Sequence, residues 1–239
     1  MTKKRASFFD IDGTLIKSQI IFDFPRHLHK AGLFKEKHIL NILKIIAEYE
    51  LNIHTYRKAG TEILTIYAEA LKGQKQSVIQ AQSKIFTEHH IKKKYPYTDE
   101  LIKLLKTHTT LIALTASPSE PVEALKKYLP FTRIYATELE TKQGIYTGKI
   151  KHNLLEKNSK QKAQLKITKK LNIDLKNSLA FGDSDADIEY LALVGHPIAL
   201  NPNYHLKATA KQNNWPIYTK KDPLMAEIKQ ILKNSPKHI

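Results

Sequence analysis

The stretch "FFDIDGTLIKSQ", residues 8–19, places two carboxylates, Asp10 and Asp12, on either side of one isoleucine and directly ahead of Gly13. Together with the two residues before it, it makes "ASFFD", a short apolar run that ends in an acid. A buried parallel strand that delivers its last residue to the edge of a sheet reads this way. Asp10 is therefore expected at the carboxyl end of a first strand.

Beyond this stretch the hydrophobic period changes. From about 18 to 95 the pattern is helical: "HILNILKIIAEYE" and "AGTEILTIYAEALKG" carry apolar residues three and four apart, with Gly73 as a terminator. No convincing strand interrupts it, so it reads as an all-helical insertion. Then come "ELIKLLKTH" (helix), "TTLIALT" (strand), "SPSEPVEALKKYL" (helix) and "TRIYATELE" (strand). That alternation signals βαβ units and a parallel sheet. "TELETKQGIYTGKI" resembles a hairpin turning at Gln143–Gly144. The helix "SKQKAQLKITKKL" follows, then the strand "SLAFG", another helix and the strand "PIAL". The expected fold class is α/β, a doubly wound parallel sheet with a helical insertion: core residues 1–17 and 96–239, insertion residues 18–95.

Composition narrows the function. The 239 residues, 41% of them hydrophobic, suffice to bury a substantial core. Apolar runs such as "LIAL" and "SLAFG" fall far short of the roughly 20 residues needed to span a bilayer. No membrane span is expected. The start "MTKKRASFFDIDG" meets Asp10 before an apolar export region of about 7 to 15 residues could form. With no cysteine in the chain, this fits a reducing, cytoplasmic setting. A net charge of +16 invites a nucleic-acid reading. Yet arginine occurs only at Arg5, Arg26, Arg57 and Arg133, so the excess is lysine scattered along the chain. The planar forks that read phosphate or guanine are scarce. A basic nucleic-acid-binding protein is the reading from a different class; no nucleic-acid partner is expected.

The carboxylates gain meaning from residues far away in sequence. Asp10 and Asp12 end the first strand, Thr115 ends "LIALT", Lys160 opens a helix, and Asp183 and Asp187 follow "SLAFG" in "GDSDAD". In a doubly wound sheet such positions converge on one crevice. Four converging acids would repel unless a cation held them, and oxygen-only ligands without clustered histidine or cysteine point to Mg²⁺. Magnesium shares its octahedral shell with phosphate oxygens. The Thr115 hydroxyl, the amides after it, beginning with Ala116, and the Lys160 ammonium would bind the remaining oxygens.

In this order "DIDGTL", "LTAS", Lys160 and "GDSDAD" resemble the four motifs of the haloacid dehalogenase superfamily of phosphohydrolases. "TASP", "ATELE", "GIYTGKI" and "VGHPIALNP" resemble its phosphoserine-phosphatase-like branch, subfamily IB. The helical insertion is similar to a type I cap. The resemblance implies that Asp10 is the nucleophile and Asp12 the general acid and base. It implies that Asp10, the main-chain carbonyl of Asp12 and Asp183 hold Mg²⁺, with Asp187 in support, and that Thr115 and Lys160 steady the phosphoryl group. Gly13 would allow the tight turn and Thr14 would help set the loop. Lys157 and Lys162 compete with Lys160, which best fits the family's spacing to "GDSDAD".

The implied activity is hydrolysis of a small phosphorylated metabolite through an aspartyl-phosphate. A phosphotransferase or mutase is the enzymatic alternative, and the oligomeric state is left open. Two cap residues are candidates for specificity. Phosphoserine phosphatases carry a glutamate where this chain has Gln19, so an amine loses its countercharge. Arg57 could grip a carboxylate.

Overall fold

All four residues of β1 (Ala6–Phe9) are buried. That follows from a strand paired on both edges and covered on both faces, where neither side of the pleat meets water. The computed structural model describes residues 3–51, 53–219 and 222–234. After β1 come four successive helices, α1 (Ile20–Lys30), α2 (Glu36–Glu50), α3 (Tyr56–Leu71) and α4 (Gln76–His90). Next are α5 (Thr98–Lys106), β2 (Thr110–Pro118), α6 (Ser119–Ala124), β3 (Arg133–Lys142) and β4 (Ile145–His152). Then α7 (Ser159–Leu171), β5 (Leu179–Gly182), α8 (Ile188–Leu191), β6 (His196–Leu200), α9 (Tyr204–Gln212), β7 (Ile217–Tyr218) and α10 (Leu224–Asn234) follow among the described residues.

The sheet order is β4-β3-β2-β1-β5-β6-β7, parallel throughout except for the antiparallel β3–β4 pair. Alternation along the strands divides the core. Phe9, Leu111 and Ala113 face one side with α5, α6 and α10; Phe8, Ile112 and Leu114 face the other with α7, α8 and α9. The first cluster runs without a break into the helical stretch through Phe24, Ile63, Leu64 and Tyr67.

β3 and β4 join through Gln143 (φ 51°) and Gly144 (φ 75°). Two left-handed residues make the two-residue hairpin loop whose twist matches its strands. The free edge of β4 is covered by the α3–α4 connection: Gly73 N–H donates to the Tyr146 carbonyl at 2.9 Å and Tyr146 N–H to that of Gln74 at 3.0 Å. Where the chain enters and leaves the helical stretch it runs side by side with itself. Lys17 N–H donates to the Lys93 carbonyl at 2.9 Å, and Tyr95 N–H to that of Leu15 at 3.0 Å.

From β1 the chain moves outward to β2 and β3, then returns to build β5, β6 and β7 on the other side. The order reverses between β1 and β5, and the crevice outside the carboxyl ends of such strands is where α/β sheets bind ligands. Among the described residues, no helix is long and apolar enough to cross a membrane.

Candidate active site

Asp10 is the residue after β1, and its N–H donates to the Phe181 carbonyl of β5 at 3.0 Å and to the Tyr190 hydroxyl at 3.1 Å. Tyr190, buried on α8, in turn donates to the Phe181 carbonyl. The end of β1 is thus fixed to β5 by main chain and by one tyrosine. Lys160 lies in the first turn of α7 and donates to Asp10 Oδ1 at 2.7 Å and Asp187 Oδ1 at 2.6 Å. Lys157 and Lys162 line a surface cavity instead. The other oxygen of Asp187 accepts from the N–H groups of Asp183 and Ser184, both at 3.0 Å, and from the Ser184 hydroxyl at 3.2 Å. Asp187 therefore ties the loop after β5 to the lysine.

Asp183 lies against the turn at Gly13. Gly13 has φ +77°, and a Cβ there would come within 2.1 Å of Asp183 Oδ2. Only glycine lets the carboxylate approach this closely. The Thr14 hydroxyl donates to Asp183 Oδ1 at 3.3 Å, and the Thr14 carbonyl accepts from Tyr97 at 2.6 Å.

Asp12 is turned elsewhere. Its Oδ1 accepts from the Ile20 N–H, at the start of α1, at 2.9 Å, and its Oδ2 accepts from the Ser117 hydroxyl. Thr115 Oγ1 accepts from Ser117 N–H at 3.2 Å, and the Ala116 carbonyl accepts from Thr137 at 2.7 Å, so the end of β2 is held rigidly beside the acids. Gln19 accepts from the Tyr56 hydroxyl at 3.0 Å. Arg57 is committed: it donates to the Leu155 carbonyl at 2.8 Å and to both oxygens of Glu189 at 2.8 and 3.0 Å.

The two carboxylates of the opening stretch are titrated by different surroundings. Burial, opposed by Lys160 and reinforced by Asp187 and Asp12, pushes Asp10 up to about 8. Burial pushes Asp12 up to about 7 against the Ser117 and Ile20 hydrogen bonds, which favour its charged form. Asp183 is raised well above the carboxylate range by burial and then by Asp10 and Asp187. Burial works against the charge of Lys160, yet Asp10 and Asp187 hold its ammonium above the ordinary lysine range.

One oxygen from each of Asp10, Asp183 and Asp187 falls within 4.8 Å of the others. Three converging carboxylates against one ammonium leave the crevice short of positive charge. A hard, oxygen-seeking divalent cation fits that deficit and that donor set. The carboxylate of Asp12 lies outside the trio.

Sequence reasoning missed Ser117 and Tyr190. Ser117 carries a readable signal, because it stands two residues after Thr115 and so shares its side of an extended strand. Tyr190 carries none, since a tyrosine on a short helix reads as core.

The sequence profile of the haloacid dehalogenase-like hydrolases matches residues 7–192. The chain is 27% identical over 217 residues to the phosphoserine phosphatase SerB1 of Mycobacterium tuberculosis, covering 89% of this chain and 70% of that one. It is 28% identical over 210 residues to the phosphoserine phosphatase of Methanocaldococcus jannaschii, covering 87% and 90% respectively. A substrate-bound phosphoserine phosphatase structure superposes with a TM-score of 0.69 at 23% identity, over 96% of this chain and 99% of that one, and supports the fold. The chain belongs to the haloacid dehalogenase-like hydrolases, in their phosphoserine-phosphatase-like branch, and is a phosphatase of that family.

Proposed function

We propose that the protein is a cytoplasmic, Mg²⁺-dependent phosphomonoester hydrolase that acts on a small phosphorylated metabolite through an aspartyl-phosphate on Asp10. In this reading residues 1–17 and 96–239 form the catalytic core, and residues 18–95 form a cap that screens the crevice and selects the alcohol. The observation that carries it is the divergence of two carboxylates only two residues apart. Asp10 faces Lys160 and the two other acids of the trio, Asp183 and Asp187, whereas Asp12 faces Ser117 and the first turn of the cap.

That divergence separates two roles. Asp10 attacks phosphorus, an Asp10–phosphorus bond forms and the bond to the substrate alcohol oxygen breaks. Asp12 gives its proton to that leaving oxygen, and burial, which outweighs the Ser117 and Ile20 hydrogen bonds, suits it to hold a proton near neutral pH. Asp12 then takes a proton from water, whose oxygen attacks phosphorus and breaks the Asp10–phosphorus bond, releasing inorganic phosphate. Lys160, Thr115 and the amides from Ala116 onward neutralise the transferring oxygens. Asp10, the main-chain carbonyl of Asp12 and Asp183 are the residues that would hold Mg²⁺, with Asp187 in support through Lys160 and the Asp183 main chain. When bound, Mg²⁺ supplies charge neutralisation and a fixed orientation for one phosphate oxygen.

The experiment is a panel of phosphorylated metabolites and p-nitrophenyl phosphate assayed with Mg²⁺ and with chelator. Mg²⁺-dependent phosphate release supports the reading; no release from any ester overturns it.

A further inference from the structure

The first turn of α3 is fastened at two places beside the acidic crevice. At one, Tyr56 donates to Gln19 at 3.0 Å, in the stretch that follows Asp12. At the other, Arg57 donates through Nη2 to both oxygens of Glu189 at 2.8 and 3.0 Å, and through Nη1 to the Leu155 carbonyl at 2.8 Å. Glu189 lies in the first turn of α8, two residues after Asp187. Its main-chain carbonyl accepts from the side chain of Gln161, the neighbour of Lys160 on α7, at 3.4 Å.

The segment at Leu155 leads on to the end of β2. Leu154 N–H donates to the Thr137 hydroxyl at 3.2 Å, and that hydroxyl donates to the Ala116 carbonyl at 2.7 Å. One turn after Arg57, α3 packs hard on the same segment: a Cβ at Gly60 would come within 2.5 Å of Leu155 Cδ1, and Leu155 is fully buried. One guanidinium therefore bridges the helical stretch to the two segments that lead to Asp187 and to Ala116.

The chemistry of the pair decides what Arg57 does. Its side chain is 25% exposed and that of Glu189 21%, so both charges are largely withdrawn from water. Among the described residues neither has another ionic partner. A carboxylate on the substrate could take Arg57 only by displacing that of Glu189. Such an exchange swaps one charge-assisted pair for another and leaves Glu189 without its partner, so it yields no net gain. The pair acts on the position of α3, not on a group of the alcohol.

We infer that Arg57 is a positioning residue: paired with Glu189, it holds the first turn of α3 against the crevice for every substrate and does not read a carboxylate on the alcohol. The inference rests on the phosphatase reading above and concerns the same site. When the pair is broken, the position of α3 that completes the crevice is populated less, and apparent substrate affinity falls by that fraction.

The test measures kcat and KM for O-phosphoserine, phosphoethanolamine and p-nitrophenyl phosphate in the native protein, Arg57→Gln, Glu189→Gln and the double variant, with circular dichroism and a thermal melt for each. Loss of a hydrogen-bonded charge pair predicts a rise in KM of about 3- to 10-fold, shared by all three esters, with kcat near native. Either single variant should give the same rise, and the double variant should be no worse than one of them, because both remove one interaction. If Arg57→Gln does not fold, Arg57→Lys takes its place, with a smaller shared rise expected. A loss confined to phosphoserine in the Arg57 variant, with Glu189→Gln harmless, makes Arg57 a substrate-gripping residue and overturns the inference. Lower melting with native KM for every ester also overturns it, since the pair is then structural only. If the native protein hydrolyses no ester, the phosphatase reading fails. The clasp is then judged by hydrogen exchange over residues 56–63, where faster exchange in both single variants upholds it and native exchange rejects it.

Discussion

Gly13→Ala tests whether the approach of Asp183 to the first loop is functional. A Cβ at this position would sit 2.1 Å from Asp183 Oδ2, and real Cβ contacts essentially never fall under 3.0 Å. The carboxylate or the loop must therefore yield by about 0.9 Å. A displacement near 1 Å in a catalytic constellation costs about 10²-fold in rate. The left-handed backbone at φ +77° adds about 1–2 kcal/mol of strain for any residue with a Cβ. For a chain of this size that corresponds to a fall in Tm of about 2–8 °C. The assay is Mg²⁺-dependent hydrolysis of p-nitrophenyl phosphate, with the Mg²⁺ activation constant measured beside a thermal melt. The expected result is a modest loss of Tm, a fall in kcat of about two orders of magnitude and a raised Mg²⁺ requirement. A variant that melts lower but keeps native kcat and native Mg²⁺ activation would refute the placement of Asp183 in the working site.

Asp12→Asn should lose the proton transfer worth about 10²- to 10⁴-fold with an alkyl phosphate, and far less in the phosphorylation step with p-nitrophenolate as leaving group; equal deficits for both esters would count against the role. Chelation should abolish turnover and Mg²⁺ restore it, while Ca²⁺, with its larger and less regular shell of about 6 to 8 oxygens, should inhibit; full activity in excess chelator would contradict the metal reading. His90, stacked on Phe86 and 3.8 Å from Asp23, is held down to about 4 by burial, with Asp23 opposing and Lys93 assisting. Its folded value lies below the unfolded one, so its stabilisation is complete above about pH 6.5 and is lost as pH falls towards 4. Between pH 7.5 and 4.5 the native protein should lose about 2–3 kcal/mol that His90→Gln does not, measured from denaturant midpoints; parallel pH profiles would exclude His90 as the source.

The layout of the candidate site is legible in the sequence because each acid stands at a junction that the hydrophobic pattern marks. Asp10 follows "ASFF", Asp183 follows "SLAFG" and Thr115 lies near the end of β2, so a doubly wound sheet brings them together without further information. The choice among Lys157, Lys160 and Lys162 rested on family spacing, since a helix start alone does not reveal which side chain turns inward. In the structure Lys160 meets Asp10 and Asp187. The hairpin at Gln143–Gly144 was readable from turn chemistry, with both residues left-handed as the loop requires.

What stayed hidden depends on contacts between distant elements. Arg57 reads as a solvated or substrate-gripping arginine until Glu189, 132 residues later, is seen to hold it. Tyr190 braces Asp10 across 180 residues. No local pattern encodes such pairings.

The central claim is that Asp10 carries the phosphoryl group. Acid-quenching the protein during turnover of a phosphomonoester in Mg²⁺, followed by peptide mass spectrometry, tests it directly. The account predicts a hydroxylamine-labile phosphate on the peptide containing Asp10 that is absent, together with phosphate release, from Asp10→Asn. Turnover with no phosphate on Asp10 at any quench time, alongside an active Asp10→Asn variant, would contradict it.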